Sequence, residues 1–367
     1  MTETEEPKRT PLYETHLTLG ARMAPFGGWE MPIQYAGILE ESRAVRSRAG
    51  LFDVSHMGRV NISGPDATAF LDSVFSSDVP GLRLGRARYG VICNERGGII
   101  DDCILYRRAD DRFLLVPNAG NTTAVLDWLA RQTRTGAGVA IEEVTAAFAM
   151  IALQGPEATE MLSEFTHLDL ASVRPFRAVE AEVDGAPSLL ARTGYTGEDG
   201  FEIILPSDRV VALWQRLVGQ GASPAGLGAR DVLRLEAGLL LHGNDMDDTM
   251  NPYEAGLDRF VDPDRDGYVP GKALRRIRDD GPSRVLVGFT MLGRGIARHG
   301  QRILDGSDEI GTVTSGSVSP TLDTNIGMGY VPTGFSAPGS RLTIDVRGRT
   351  VEAEVTALPF YSRKKGR

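Results

Sequence analysis

The sequence has few of the residues from which disulfide frameworks and common metal sites are built. Only two of its 367 residues are cysteine, Cys93 and Cys103, and its five histidines show neither HExxH nor HxH spacing. Two cysteines cannot form a disulfide framework or, on their own, a four-ligand zinc site. We therefore expect no metal centre and a reducing compartment, with the cytoplasm as the default.

Long apolar runs are also absent. No stretch approaches the roughly 18 apolar residues of a membrane-spanning helix, and the first residues, MTETEEPKR, contain no apolar core of a signal peptide. These absences predict a soluble protein with no membrane partner and no export signal.

Motifs for nucleotides, calcium and nucleic acids are missing as well. No GxGxxG follows a strand, and DPDRDGYVPGKA at 262–273 ends in Ala273 where a calcium-binding loop needs glutamate. A net charge of -9 argues against a general nucleic-acid binder, because neutralising phosphates requires a basic face. Only four of the 40 cationic residues are lysine, and the arginines run along the whole chain. The even spread of arginine excludes a continuous basic segment in the sequence. It still allows a basic patch that forms on the surface of the folded protein.

What the sequence does have is globular composition, much glycine and a change of pattern near residue 280. With 41% hydrophobic and 24% charged residues, 367 residues suffice for two or three domains. From residue 283, short β-rich segments alternate with Gly, Asp and Pro turns, which predicts a C-terminal sandwich or barrel.

Two earlier segments of the chain resemble each other. Residues 62–74 and 153–165 share a Gly-Pro, an acidic residue and a leucine at matching offsets. This internal similarity fits a duplicated βα unit. It fits equally well two unrelated helices that begin with the same favourable residues.

The pattern at 87–106 predicts a hairpin of two apolar strands around the turn NERGG. A turn symmetric about Glu95 and Arg96 sets Tyr89 opposite Asp102, and a bulge would shift this pairing by one residue. Asp102 and its neighbour Asp101 must point to opposite faces of a strand that is apolar on both. At least one carboxylate is therefore partly buried, either as a structural acid or as a catalytic one.

Glycines recur every third residue in RTGYTGEDGFEI at 192–203, where they permit turns that a side chain would forbid. Glu202 then shares a strand face with Ile204. A carboxylate in that position is an acceptor for the N–H donors of a heterocycle, and it could also pair with Arg230 at the start of the following helix.

Several long blocks, in order, resemble the aminomethyltransferase, or T-protein, family of the glycine cleavage system. They are PLYETHLTLGARMAPFGGWEMPIQY at the start, AGLFDVSHMG at 49–58, YGVICNERGGIIDDCILYR at 89–107, RTGYTGEDGFE at 192–202 and AGLGARDVLRLEAGLLLHGNDMD at 225–247. The resemblance implies transfer of a one-carbon unit from the aminomethylated lipoyl arm of H-protein to tetrahydrofolate. The products are 5,10-methylenetetrahydrofolate, ammonia and dihydrolipoyl H-protein, and neither a metal nor a nucleotide is required.

The resemblance also implies residue roles. Asp102 matches the catalytic acid. The residues that match the folate cavity and the pterin contacts are Met57, Tyr89, Asn118, Tyr195, Glu202 and Arg230. The C-terminal end matches only loosely, so Tyr361 and Arg363 are left out, and Arg294 and Arg298 are given no role.

The implied fold class is α+β, with three lobes around a central folate cavity. A discontinuous first α/β domain takes 1–50 and about 141–245. A second α/β domain, with the catalytic hairpin, takes 51–140 and about 246–280, and a β-barrel takes 281–367. The expected partners are H-protein, transiently, with P-protein and L-protein in the same system, and we expect a monomer. The alternatives are a tetrahydrofolate-dependent demethylase of a small methylated compound and a non-catalytic folate-binding protein.

Overall fold

The computed structural model describes residues 6–133 and 138–363, and within them it contains twenty strands and eight α-helices. The strands are β1 (Lys8–Arg9), β2 (Arg22–Phe26), β3 (Trp29–Gln34), β4 (Gly50–Asp53), β5 (Val60–Ser63), β6 (Ala87–Cys93), β7 (Ile99–Ala109), β8 (Arg112–Val116), β9 (Ala140–Glu143), β10 (Phe148–Gln154), β11 (Ala178–Val183), β12 (Ala186–Ala191), β13 (Gly200–Pro206), β14 (Ser223–Pro224), β15 (Arg284–Met291), β16 (Arg302–Asp305), β17 (Asp308–Ser319), β18 (Thr324–Pro332), β19 (Arg341–Val346) and β20 (Arg349–Thr356). The helices are α1 (Tyr13–Thr18), α2 (Ile38–Ser47), α3 (Ala67–Val74), α4 (Thr122–Gln132), α5 (Ala158–Ser163), α6 (Val210–Gly219), α7 (Leu227–Glu236) and α8 (Gly271–Asp280).

The strands form three open sheets and one closed barrel. The sheet orders are β1-β3-β2, β11-β12-β13-β10-β4-β14 and β6-β7-β8-β5-β9, and the barrel is β15-β18-β17-β16-β19-β20. The mixed α/β lobes and the C-terminal barrel predicted from the sequence are confirmed. The domain boundaries near 50, 140, 245 and 280 stay a prediction.

The two larger sheets contain the same topological unit. In β5-α3-β6-β7-β8 and in β10-α5-β11-β12-β13, a strand and a helix are followed by three antiparallel strands, the last of which pairs antiparallel with the first. In both units the glycine after the first strand, Gly64 or Gly155, has a positive φ. The common strand order favours duplication as the origin of the similarity between 62–74 and 153–165.

Each larger sheet packs helices on one face and the other sheet on its opposite face. Because side chains alternate along a strand, Ile151 of β10 contacts the α5 and α6 core whereas its neighbour Met150 points the other way. Met150 joins Phe52, Tyr106 and Ile204 in a core between the two sheets, to which α7 also contributes. The site described below lies beside this shared core.

Helix α7 also connects the sheets to the barrel. The Arg234 guanidinium donates to the Ser315 hydroxyl at 2.6 Å and to Asp245 Oδ2 at 2.5 Å, and all three residues are buried. The Tyr330 hydroxyl donates to the Asp245 carbonyl at 2.8 Å. Buried ionic contacts of this kind fix orientation when all their partners are present. Within 6–133 and 138–363, no helix combines the length and apolar character needed to cross a bilayer.

Candidate active site

A cavity of about 1410 Å³ lies between the two larger sheets, α7 and the start of the barrel. All seven residues predicted for the site line it: Met57, Tyr89, Asp102, Asn118, Tyr195, Glu202 and Arg230. Small-molecule pockets usually measure roughly 300–1,000 Å³. The larger volume leaves space for a second reactant beside a folate-sized ligand.

The hairpin of β6 and β7 has a different register from the one predicted. Tyr89 pairs with Ile104, and Val91 pairs with Asp102. The prediction that Tyr89 lies opposite Asp102 is therefore wrong, by two residues. A five-residue loop closes at Asn94 and Gly98, and a bulge follows between Ile92 and Cys93. Tyr89 still reaches the carboxylate diagonally, and its hydroxyl donates to Asp102 Oδ2 at 3.1 Å.

The two adjacent aspartates occupy different environments. Asp101 is fully buried and accepts hydrogen bonds from the Asn118 backbone N–H at 2.8 Å and the Asn121 side-chain amide at 2.7 Å. Asp102 instead lines the cavity. The Asn118 side-chain nitrogen lies between them, 2.8 Å from Asp101 Oδ1 and 2.8 Å from Asp102 Oδ1. Asp101 thus holds Asn118, which in turn orients Asp102, and this supporting role was not predicted.

The pKa of Asp102 is shifted toward neutrality. Burial, reinforced by the nearby Asp101 charge, raises the pKa of Asp102 to about 7, while the hydrogen bonds from Tyr89 and Asn118 oppose the shift. Burial also raises the pKa of Asp101, against its amide donors. A carboxyl group that titrates near neutral pH is suited to accept and return protons in a catalytic cycle.

The raised pKa of Asp102 predicts a pH-dependent stability difference between the wild type and Asp102→Asn. An ordinary aspartate pKa is 3.8, so the folded wild type holds more protons than the unfolded chain between about pH 4 and pH 7. Its free energy of unfolding therefore falls as pH rises through this window, by up to about 1.4 kcal/mol per pH unit for this group. The variant lacks this loss, so its stability relative to wild type should increase from pH 5 to 7 and level off above 8. Urea unfolding at each pH measures the difference, and a difference independent of pH contradicts the assignment.

A second carboxylate lines the cavity from the other large sheet. Glu202 is buried in β13, where its Oε2 accepts hydrogen bonds from the hydroxyls of Thr193 and Tyr106, the latter at 3.3 Å. No described residue donates to Glu202 Oε1, so this oxygen is free to accept a ligand N–H. Gly194 lines the cavity beside Thr193, and a Cβ there would lie 1.9 Å from Gln154 Oε1. Any side chain at position 194 would therefore displace the Gln154 amide.

Arg230 faces the cavity without the ion pair considered from the sequence. Its guanidinium lies 4.6 Å from the centre of the Tyr195 ring, and no carboxylate of the described residues lies within 4.0 Å of it. Its Nη1 is buried and has no hydrogen-bond partner among those residues, and burial lowers its pKa. The Tyr195 hydroxyl donates to the Leu240 carbonyl. A partly buried cation whose Nη1 has no hydrogen-bond partner among the described residues is suited to an anionic or strongly polar ligand.

Two further residues of the cavity wall were missed by the sequence reasoning. His56 is buried beside Met57, and burial, with contributions from Arg230 and Arg59, lowers its pKa to about 3, so its ring is neutral. Arg234 follows Arg230 by one helical turn and is paired with Asp245. The sequence contained a signal for each of them. His56 lies in the block AGLFDVSHMG, and the spacing of four residues on α7 puts Arg234 on the same helix face as Arg230.

The residues left out of the predicted site do not line the cavity. Tyr361 donates to Glu198 Oε1 at 2.6 Å, and Arg363 lies 3.3 Å from Asp199. Arg294 and Arg298 are also absent from the lining. In the described part of the chain, no three His, Cys, Asp or Glu side chains are grouped as metal ligands. The acidic stretch 262–273 instead forms ion pairs, such as Asp264 with Arg278 at 2.6 Å.

Comparison with known proteins identifies the family and the fold. The family model described as GCVT N-terminal domain matches residues 12–265, and the one described as Glycine cleavage T-protein C-terminal barrel domain matches residues 284–362. The aminomethyltransferase of Rubrobacter xylanophilus is 49% identical over 359 residues, which cover 98% of this chain and 95% of the relative. That of Geobacillus kaustophilus is 44% identical over 364 residues, covering 98% and 100%.

A solved structure gives the same result. The glycine cleavage system aminomethyltransferase T from Bartonella henselae superposes with a TM-score of 0.92 at 38% identity, covering 97% of this chain and 98% of that one. The family resemblance, the fold class and the enzymatic nature inferred from the sequence are confirmed. The chain belongs to the glycine cleavage T-protein family of aminomethyltransferases.

Proposed function

We propose that this chain transfers the one-carbon unit of the aminomethylated lipoyl arm of H-protein to tetrahydrofolate. The products are 5,10-methylenetetrahydrofolate, ammonia and dihydrolipoyl H-protein. The observation that carries the proposal is Asp102, a carboxylate fixed by Tyr89 and Asn118 on the wall of a cavity large enough for two reactants. Full-length similarity to aminomethyltransferases supports it.

In this reaction Asp102 acts on the folate amine. The carbon becomes iminium-like as it leaves sulfur or nitrogen, and a fixed carboxylate orients the attacking amine and stabilises the developing positive charge. Two N–H protons of the folate are lost when both nitrogens bond to the methylene carbon. One proton ends on the lipoyl sulfur and the other on the departing ammonia, so the reaction is balanced without an external acid or redox partner.

The other predicted residues hold the folate. Glu202 Oε1 accepts from the guanidine-like edge of the pterin, which gives charge-assisted hydrogen bonds. Arg230 supplies its unpartnered Nη1 as a donor, and Tyr195 and Met57 supply contact surface. The Asp102 carboxylate and the Glu202 carboxylate then act at different parts of one ligand, the first at the reacting amine and the second at the pterin edge.

The partners and setting follow from the same proposal. The chain acts as a monomer in the cytoplasm, meets H-protein transiently, and works in one system with P-protein and L-protein. Tetrahydrofolate is its substrate and acceptor, with no metal or nucleotide in the reaction. The thiols of Cys93 and Cys103 are free and buried, which suits a reducing compartment.

The test mixes purified full-length protein, aminomethylated H-protein and tetrahydrofolate, and measures ammonia release with and without the folate. We expect release that depends on both reactants. Absence of release, together with demethylation of a small methylated sulfur or nitrogen compound, would favour the demethylase. Folate binding without either activity would favour a non-catalytic role.

A further inference from the structure

Arg86 and Arg88 line the cavity, and the charges of Arg83, Arg174 and Arg177 lie close to Arg86 at the surface. We call these five arginines the arginine rim. They come from two segments that meet side by side. The Ala87 N–H donates to the Phe176 carbonyl at 2.9 Å, and the Ala178 N–H donates to the Gly85 carbonyl at 3.0 Å. The rim is therefore a fixed surface beside the cavity.

The positive charge of the rim is largely uncompensated. Arg86 and Arg177 lie directly opposite each other across an antiparallel bridge, an arrangement in which like charges destabilise the fold. Among the described residues, Arg88 is the one member of the rim with a carboxylate within 4.0 Å, that of Asp78. The chain as a whole is acidic, with a net charge of -9, so a cluster of five arginines is locally opposite in sign to the net charge. Such a cluster fits an anionic partner from outside the chain.

Two large apolar side chains are exposed within the rim. Leu84 is 57% exposed and Phe176 is 45% exposed. Phe176 has a φ of +57°, a conformation that bulky residues rarely adopt, and its N–H donates to the Arg192 carbonyl at 3.0 Å. A strained backbone that presents an aromatic ring to solvent is more typical of a binding surface than of a structural turn.

We propose that the arginine rim, with Leu84 and Phe176, is the docking surface for an acidic face of the lipoyl-bearing carrier protein. This inference rests on the proposed function, because the lipoyl arm must enter the cavity from a carrier held at its opening. Arginine and aromatic residues are the types enriched in protein interfaces. Four residues of this surface do not line the cavity: Arg83, Leu84, Arg174 and Arg177. The proposed docking surface therefore extends beyond the reach of a small molecule bound inside the cavity.

The test measures the Kd of lipoylated carrier protein for the full-length chain by calorimetry at low and high salt. We expect the double variant Arg174→Glu/Arg177→Glu to weaken binding by at least about tenfold at low salt. The salt dependence seen for wild type should largely disappear in this variant. Arg349→Glu, which reverses an exposed arginine on the barrel strand β20, is the matched control and should bind like wild type.

Phe176→Gly separates docking from folding. Glycine adopts the positive φ without strain, which offsets the lost burial of the ring and the greater freedom of the unfolded chain, so the thermal stability of this variant should stay close to that of wild type. Its affinity for the carrier should nevertheless fall by about tenfold, since the aromatic contact is lost.

Unchanged carrier affinity in both the double variant and Phe176→Gly would overturn the proposal. So would a loss confined to polyglutamylated folate, because the rim would then be a site for the folate tail. The binding measurement requires no turnover. A wild-type chain that binds the carrier at the rim but releases no ammonia would therefore refute the proposed reaction while leaving the docking surface standing.

Discussion

Asp102→Asn is expected to lower folate-dependent ammonia release by about 10²- to 10⁴-fold, the range of a positioned acid or base. The variant side chain has the same shape, and both of its contacts can survive. Asn118 still donates to the oxygen, and the Tyr89 hydroxyl can turn to accept a hydrogen bond from the new amide. What is lost is the negative charge beside the reacting amine, so the transition state loses its stabilisation while the pterin contacts remain.

The measurement combines initial rates of ammonia release with the Kd for tetrahydrofolate, which should stay within about threefold of wild type. Asp127→Asn is the matched control, because Asp127 is an exposed aspartate on α4, away from the cavity lining. Near-wild-type turnover by the Asp102 variant would exclude Asp102 as the catalytic group. A large loss of folate affinity would instead give this carboxylate a binding role.

The sequence predicted the parts of this site that depend on local pattern. The apolar runs around IIDD implied a carboxylate on a buried strand, and the turn-rich segments after 283 implied the barrel. The order of the resembling blocks predicted that seven distant residues would meet, and all seven line one cavity. Alternation can be read from a single sequence because the face on which a residue lies is set by its own strand or helix. The order of the blocks can be read from the same sequence directly.

What the sequence did not predict depends on how separate segments meet. The hairpin register is set by the loop from Asn94 to Gly98 and by a bulge, neither of which leaves a reliable signal in residue type. The support of Asn118 by Asp101 joins residues 17 apart. The arginine rim brings together segments about 90 residues apart in the chain, so scattered arginines had no visible grouping.

Arg230→Met is expected to weaken tetrahydrofolate binding without destabilising the free protein. Hydrogen bonds to charged groups contribute about 1.5–3 kcal/mol, which corresponds to about a tenfold to hundredfold loss of affinity. In the free protein the Arg230 guanidinium is partly buried, its Nη1 has no hydrogen-bond partner among the described residues, and burial lowers its pKa. Methionine loses the guanidinium contact with the Tyr195 ring but also removes a partly desolvated charge, so thermal stability should stay close to that of wild type.

Arg234→Met provides the contrast, one helical turn along the same face. Arg234 donates to the fully buried Asp245, and removing the arginine leaves that carboxylate without its cation. Breaking a buried pair on one side costs about 3–5 kcal/mol, so this variant should unfold at clearly lower urea concentration than wild type. Urea unfolding and folate titration of both variants separate the two roles. An Arg230→Met variant that is as unstable as Arg234→Met and binds folate normally would contradict the prediction. Arg230 would then be a structural residue, and its Nη1 would not bind the folate.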